Sequence, residues 1–293
     1  MHYDLCCIGH ITQDKVVTPE ATVLMPGGTS FYFSHAIANM NARYLLVTAL
    51  AATEAGAVTA LQQRGVEVLQ LPSKHTVYFE NIYGYNKDNR SQRVLQQADP
   101  FREEDLRSLE ASIFHLGPLL ASDFSDNVIN TLAAKGKISL DVQGLLRRVE
   151  DEKVVAIDWE TKKEILPLIH FLKASEDEMT VLTGLQDVEQ GAKQLADWGA
   201  KEVIITMGSK GSAVYADHAF YHIPAYAPSQ LQDATGCGDT YMAGYLYQRV
   251  KGSTIQDAGE FAAAMATLKL GVNGPFTGTR EEVEAIRNMN TIK

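Results

Sequence analysis

Long apolar runs are missing from this chain of 293 residues, and none approaches the roughly 20 residues that a membrane span needs. No membrane partner is therefore expected. The opening segment, MHYDLCCIGHITQDKVV, has neither a basic start nor a long apolar core, so it reads as a first β-strand rather than a signal peptide. Basic tracts are missing too. Lys and Arg number 26 against 36 Asp and Glu, a formal net charge of −10, which argues against nucleic acid as a partner. A small anionic ligand stays compatible with that charge, because backbone dipoles act locally. Cysteine is scarce: only Cys6, Cys7 and Cys237 occur. The adjacent pair points to opposite faces of a strand, and an odd count without metal-ligand spacing predicts buried free thiols in a reducing cytoplasm. Fixed-period repeats and low-complexity segments are absent as well.

What is present is alternation. Strand-like runs at 4–9, 44–50, 113–116, 138–141, 171–174, 203–207 and 212–215 are interleaved with helix-like runs at 30–40, 55–64, 125–134, 160–169, 188–199, 239–250 and 254–270. This rhythm predicts an α/β fold with a mainly parallel sheet, helices on both faces, and ligands beyond the carboxyl ends of the strands. Two stretches break it. Residues 15–28 and 76–98 read as β-ribbons, the second with Val77, Phe79, Ile82 and Tyr85 on one arm and a polar turn at Asn86–Asn89. Together they would form a small sheet projecting as a lid from a single domain spanning 1–293.

Four motifs carry candidate chemistry. In DATGCGDTYMAGYL (233–246), Gly236, Cys237 and Gly238 precede Asp239 at the start of a helix. Asp239 there reads either as a helix cap or as a proton acceptor beside an anion hole made by backbone amides. ITMGSKGSAVY (205–215) puts Thr206, Gly208, Ser209 and Gly211 in a strand-to-strand turn, which alone marks only a tight hairpin. FLKASEDEMTVLTG (171–184) sets Glu178 in the first turn of a helix after a strand, suited to the helix dipole or to a water on Mg²⁺. GHITQD (9–14) follows the first strand, and Gly27-Gly28 precede a helix; Asp14 reads as a turn residue or as an acceptor for sugar hydroxyls.

Taken in order, Gly-x-x-x-x-Asp, Gly-Gly before a helix, an acidic strand end, Thr-x-Gly-x-x-Gly and Asp-x-x-Gly-x-Gly-Asp resemble the ribokinase-like, PfkB-type carbohydrate kinases from Gly9 to about Gly274. DATGCGD is the most specific part. The resemblance implies a three-layer α/β/α sandwich with a β-sheet lid, and transfer of phosphate from ATP with Mg²⁺ to a sugar-like alcohol. It implies Asp239 as catalytic base and Gly236, Cys237 and Gly238 as anion hole. Ser175, Thr206, Gly208, Ser209 and Gly211 would bind the nucleotide, and the small Ala262, Ala263 and Ala264 would flank adenine. Glu178 would serve the metal, and Asp14, Gly27 and Gly28 the substrate. A monovalent cation and a homodimer through the lid are further expectations of the resemblance.

Departures bear on specificity. Tyr32 stands where Gly-Gly-x-x-x-Asn would place asparagine, which tells against a ribose-type substrate. Ser175 replaces the asparagine of Asn-x-x-Glu, and Cys237 replaces alanine. FLKASEDE, RVLQQADPF and DVQGLLR, with Asp141 and Arg147 as further substrate residues, look closer to the plant-type myo-inositol kinases of this family, so a polyol is the leading substrate. Another sugar or a nucleoside, and a non-catalytic sugar or nucleotide sensor, are the alternatives. A nicotinamide oxidoreductase is not, because the first turn lacks Gly-x-Gly-x-x-Gly.

Overall fold

Seven parallel strands form most of a nine-stranded sheet in the computed structural model, which describes residues 1–84 and 90–290. From one edge the order is Ala219–Ile223, Ser212–Ala216, Glu202–Thr206, Ile169–Ser175, Lys137–Asp141, Ala111–Leu116, Tyr3–Ile8, Tyr44–Leu50 and Glu67–Pro72. The first two strands run antiparallel, and all pairings from Glu202–Thr206 onward are parallel. Strand periodicity divides the first strand between two cores. Leu5 and Cys7 enter one with Phe33, Tyr245 and Phe261, whereas Cys6 and Ile8 enter the other with Phe114, Leu132 and Leu195. Helices therefore cover both faces, giving three layers. The neighbouring cysteines do face opposite ways, and burial pushes both thiols up in pKa.

The second sheet has six strands, ordered Arg147–Glu150, Lys153–Ala156, Arg90–Gln96, Val77–Tyr83, Thr12–Val17 and Thr22–Gly27. Its ribbon opens at Thr12 rather than at residue 15, and a third hairpin, 147–156, joins it without having been expected. Val77, Phe79 and Val94 seat the sheet on Leu119 and Leu120 of the main body. Tyr85 and Asn86–Asn89 lie outside the described residues.

One expected helix does not form. Instead of a helix over 160–169, a single turn at Lys162–Ile165 gives way to a 3₁₀ turn at Leu166–Leu168, and Ile169 already begins a strand. Pro167 lacks the amide that a continuing helix needs. Among the described residues, no helix is long and apolar enough to cross a membrane.

Candidate active site

The helix Cys237–Val250 starts from Gly236, whose left-handed backbone (φ 76°, ψ 7°) and close packing both exclude a side chain. A β-carbon there would collide with the ring of Tyr32. The capping reading of Asp239 is thereby corrected: Gly236 is the N-cap, and Asp239 sits in the first turn without a capping hydrogen bond to the helix. The amide of Cys237 is also spent, donating to the carbonyl of Ala234 at 3.2 Å. Among the described residues the amides of Gly236, Gly238 and Asp239 have no backbone acceptor, so they are the donors left for an anion. Burial lifts the Cys237 thiol to about 11, which leaves it protonated and a poor nucleophile near neutral pH.

Facing this helix is Thr29–Ile37, entered through Gly27 and Gly28. The pairing of Thr12–Val17 with Thr22–Gly27 sets Thr12 opposite Gly27. Gly27 then lies so close to Asp14 that a β-carbon would strike its carboxylate. The Thr12 hydroxyl donates to Asp14 Oδ1 at 2.7 Å and aims the group. Two residues beyond Gly27, Thr29 lies beside Asp239, where its side chain favours the ionised carboxylate. A continuous path thus joins the candidate acceptor carboxylate, Asp14, to the candidate base.

Lys173 is the residue that sequence reasoning missed. Parallel pairing puts it beside Asp141, and its buried ammonium donates to Asp141 Oδ2 at 2.9 Å, with Glu178 at 4.0 Å. Burial works to strip its proton, but Asp141 and Glu178 more than offset this and hold its pKa above the ordinary lysine value. Asp141 Oδ1 accepts from the amide of Gln143, so both oxygens of Asp141 are engaged within the protein. Each oxygen keeps a further lone pair, so the expected substrate role of Asp141 would be shared with these internal bonds. Burial, and then the charge on Asp141, raise Asp239 to about 6, while Lys173 and Thr29 pull it back. Poised there, Asp239 is ionised at neutral pH yet basic enough to take a proton.

Ser175 caps the helix Glu176–Thr183 in a reciprocal box: its hydroxyl accepts from the Glu178 amide (3.2 Å), and Glu178 Oε2 accepts from the Ser175 amide (2.8 Å). Parallel register sets Ser175 beside Thr206 at two adjoining strand ends. The turn with Gly208, Ser209 and Gly211 follows directly. Arg147 opens the edge strand of the second sheet, and its carbonyl accepts from the amide of Ala121. On the helix Ile255–Leu270, Ala262 and Ala264 are fully buried and Ala263 is 7% exposed. Of the three alanines expected to flank adenine, only Ala263 therefore reaches the surface at all.

This arrangement can hold an anion on free amides, beside a buried cation and a carboxylate able to take a hydroxyl proton. Comparison with known proteins accords with it. A model of the pfkB family carbohydrate kinases matches residues 5–281. A solved structure described as a pyrophosphate-dependent kinase in the ribokinase family, complexed with a pyrophosphate analog and myo-inositol, is 31% identical at a TM-score of 0.87, over 96% of this chain and 99% of that one. The cytidine kinase of Thermococcus kodakarensis is 28% identical over 87% of this chain and 91% of its own length. The inositol 3-kinase of Arabidopsis thaliana is 29% identical over 64% of this chain and 52% of its own length. The chain belongs to the pfkB family of carbohydrate kinases and is a phosphotransferase with the ribokinase-like three-layer fold.

Proposed function

We propose that this kinase transfers the terminal phosphoryl group of ATP to a hydroxyl of a polyol, with myo-inositol the favoured acceptor. The observation that carries the reading is the path from Asp14, packed on Gly27, through Thr29 to Asp239. Asp14 accepts hydrogen bonds from neighbouring acceptor hydroxyls, and Asp239 takes the proton of the attacking one. The open amides of Gly238 and Asp239 stabilise the transferring phosphoryl. Mg²⁺ suits this site, because it takes one or two carboxylates and fills its shell with phosphate oxygens and water. Glu178 would anchor it through a water; when bound, the ion would offset phosphate charge.

A second donor reading has its own support. Pyrophosphate is the donor named for the solved relative, and the burial of Ala262 and Ala264 leaves this chain little alanine surface on which adenine could lie. Initial rates with ATP and with pyrophosphate against myo-inositol, ribose, fructose, cytidine and other nucleosides test both points. Preference for myo-inositol is expected. Equal or better use of a furanose sugar or a nucleoside would overturn the polyol reading, and no transfer to any acceptor would favour a sensor.

Asp14→Ala separates acceptor from donor. Losing a charge-assisted hydrogen bond costs about 1.5–3 kcal/mol, so the KM for the acceptor should rise at least about tenfold. Donor affinity measured without acceptor should stay unchanged. A loss of donor affinity would remove Asp14 from the acceptor pocket.

A further inference from the structure

Lys173 has more hydrogen-bonding capacity than the protein uses. An ammonium carries three donors. Among the described residues one acceptor, Asp141 Oδ2 at 2.9 Å, lies within hydrogen-bonding distance, since Glu178 at 4.0 Å is too far. The side chain is only 7% exposed, so water offers little compensation for the remaining donors. Leaving charged donors unmade in a buried place is costly, and a native fold keeps such a group where something else completes it. Its location says what that is. A β-carbon on Gly238 would stand 3.4 Å from Nζ in ordinary contact, so the ammonium adjoins the open amides of the hole.

Two readings compete. Lys173 could simply neutralise the neighbouring carboxylates Asp141 and Glu178. That accounts for its charge but not for its reach: strand pairing with Asp141 would be met by any cation at this height, whereas Nζ extends to the space where a side chain on Gly238 would stand. Asp141, held at its other oxygen by the amide of Gln143, is placed to aim the ammonium.

We propose that Lys173 is a catalytic cation of the phosphoryl site: its ammonium donates to a non-bridging oxygen of the donor's terminal phosphate, beside the amides of Gly238 and Asp239, with Asp141 as its positioning residue. This rests on the reading of Gly236–Asp239 as the transfer site. During transfer the acceptor oxygen bonds to phosphorus as the bond to the leaving phosphate oxygen breaks. The leaving group keeps that electron pair, and the hydroxyl proton passes to Asp239. Lys173 stays protonated and compensates the charge on the moving phosphoryl. The terminal phosphate is common to ATP and pyrophosphate, so the contact serves either donor.

Calorimetric binding of inorganic pyrophosphate and of ATP, without acceptor, tests this directly in wild type, Lys173→Met and Lys173→Arg. Lys173→Met is expected to weaken binding about tenfold or more toward each donor that the wild type binds, to lower kcat at least about a hundredfold, and to leave myo-inositol affinity unchanged. Lys173→Arg should recover part of the donor affinity, because it restores charge with altered geometry. Should Lys173→Met fail to fold, the double variant Asp141→Asn/Lys173→Met removes both members of the buried pair and is read the same way. Unchanged donor affinity and kcat in a folded variant would overturn the proposal, as would weakening confined to ATP, which would move the contact onto the nucleotide. A wild type that binds neither anion would overturn it too. Failure of the functional reading shows separately, as intact, Lys173-dependent anion binding without transfer to any acceptor.

Discussion

Asp239→Asn is expected to lower kcat by about 10²–10⁴-fold, the range typical of losing a general base, without unfolding the protein. Asparagine keeps the shape and an oxygen for Thr29 but cannot accept the hydroxyl proton. The sign of the stability change sharpens the test. Asp239 is raised to about 6, so its folded-state ionisation is unfavourable relative to the unfolded chain. Such a group opposes folding above pH 6 and ceases to do so as the pH falls below the unfolded value. A shift of this size corresponds to about 3 kcal/mol at most, less whatever solvent in the cleft screens. At pH 8 the variant's Tm should therefore equal or exceed that of wild type. The wild-type pH profile should agree: kcat/KM falls as the pH drops through about 6, where the carboxylate takes up its proton, and is flat just above. Near-normal turnover in a folded Asn variant would end the assignment of Asp239 as base, whereas an acid limb near pH 4 would show that its carboxyl is not raised.

The glycine turn into the helix of Asp239 was legible because its signals are local. Glycines bracketing a small residue before an acid leave their mark within one turn, as do Gly27-Gly28 before a helix. Strands buried on both faces, such as Tyr44–Leu50, announce themselves as continuous apolar runs. What escaped depends on partners far along the chain. Lys173 in a strand reads as a solvent-facing lysine until parallel pairing brings Asp141, 32 residues earlier, alongside it. Thr29 reads as a helix-start residue until the fold sets Asp239 opposite. The hairpin 147–156 escaped for another reason. Its strands are only four residues each, with charged Arg147, Arg148, Glu150 and Lys153 among them, and Asp151 and Glu152 turn it with positive φ (48° and 64°), without the glycine or asparagine that would signal such a turn. Glu178 is compatible with both of its readings, since its capping box engages Oε2 and leaves a second oxygen for the metal-bound water proposed above.

Lys269 carries the other large expected effect, and it acts on the loop that forms the anion hole. Its side chain is fully buried, and Nζ donates to the carbonyl of Asp233 (2.8 Å), to Asp233 Oδ2 (3.3 Å) and to the carbonyl of Val272 (3.4 Å). Asp233 Oδ1 in turn accepts from the amide of Thr235 (2.9 Å), one residue before Gly236. A positive charge at the end of the helix Ile255–Leu270 thus ties that helix to the entrance of the hole, and it also complements the helix dipole. Lys269→Met keeps the length but leaves two carbonyls and a carboxylate without their cation. The cost should be about 3 kcal/mol, the lower end for breaking a buried pair because Asp233 retains some access to water. In a chain of this size that lowers Tm by about 5 °C, and kcat should fall with it as the amides of Gly238 and Asp239 lose their fixed aim. Lys269→Ala adds a second readout. It opens a space lined by oxygens, where ammonium or K⁺ could stand in for the missing charge, so the variant should gain activity with either ion. Wild type, carrying its own cation, should be indifferent to exchange of K⁺ for Na⁺. An alanine variant with unchanged Tm and kcat would show that the loop holds its shape without Lys269, and a wild type strongly activated by K⁺ would show that this ammonium does not meet the site's need for a cation.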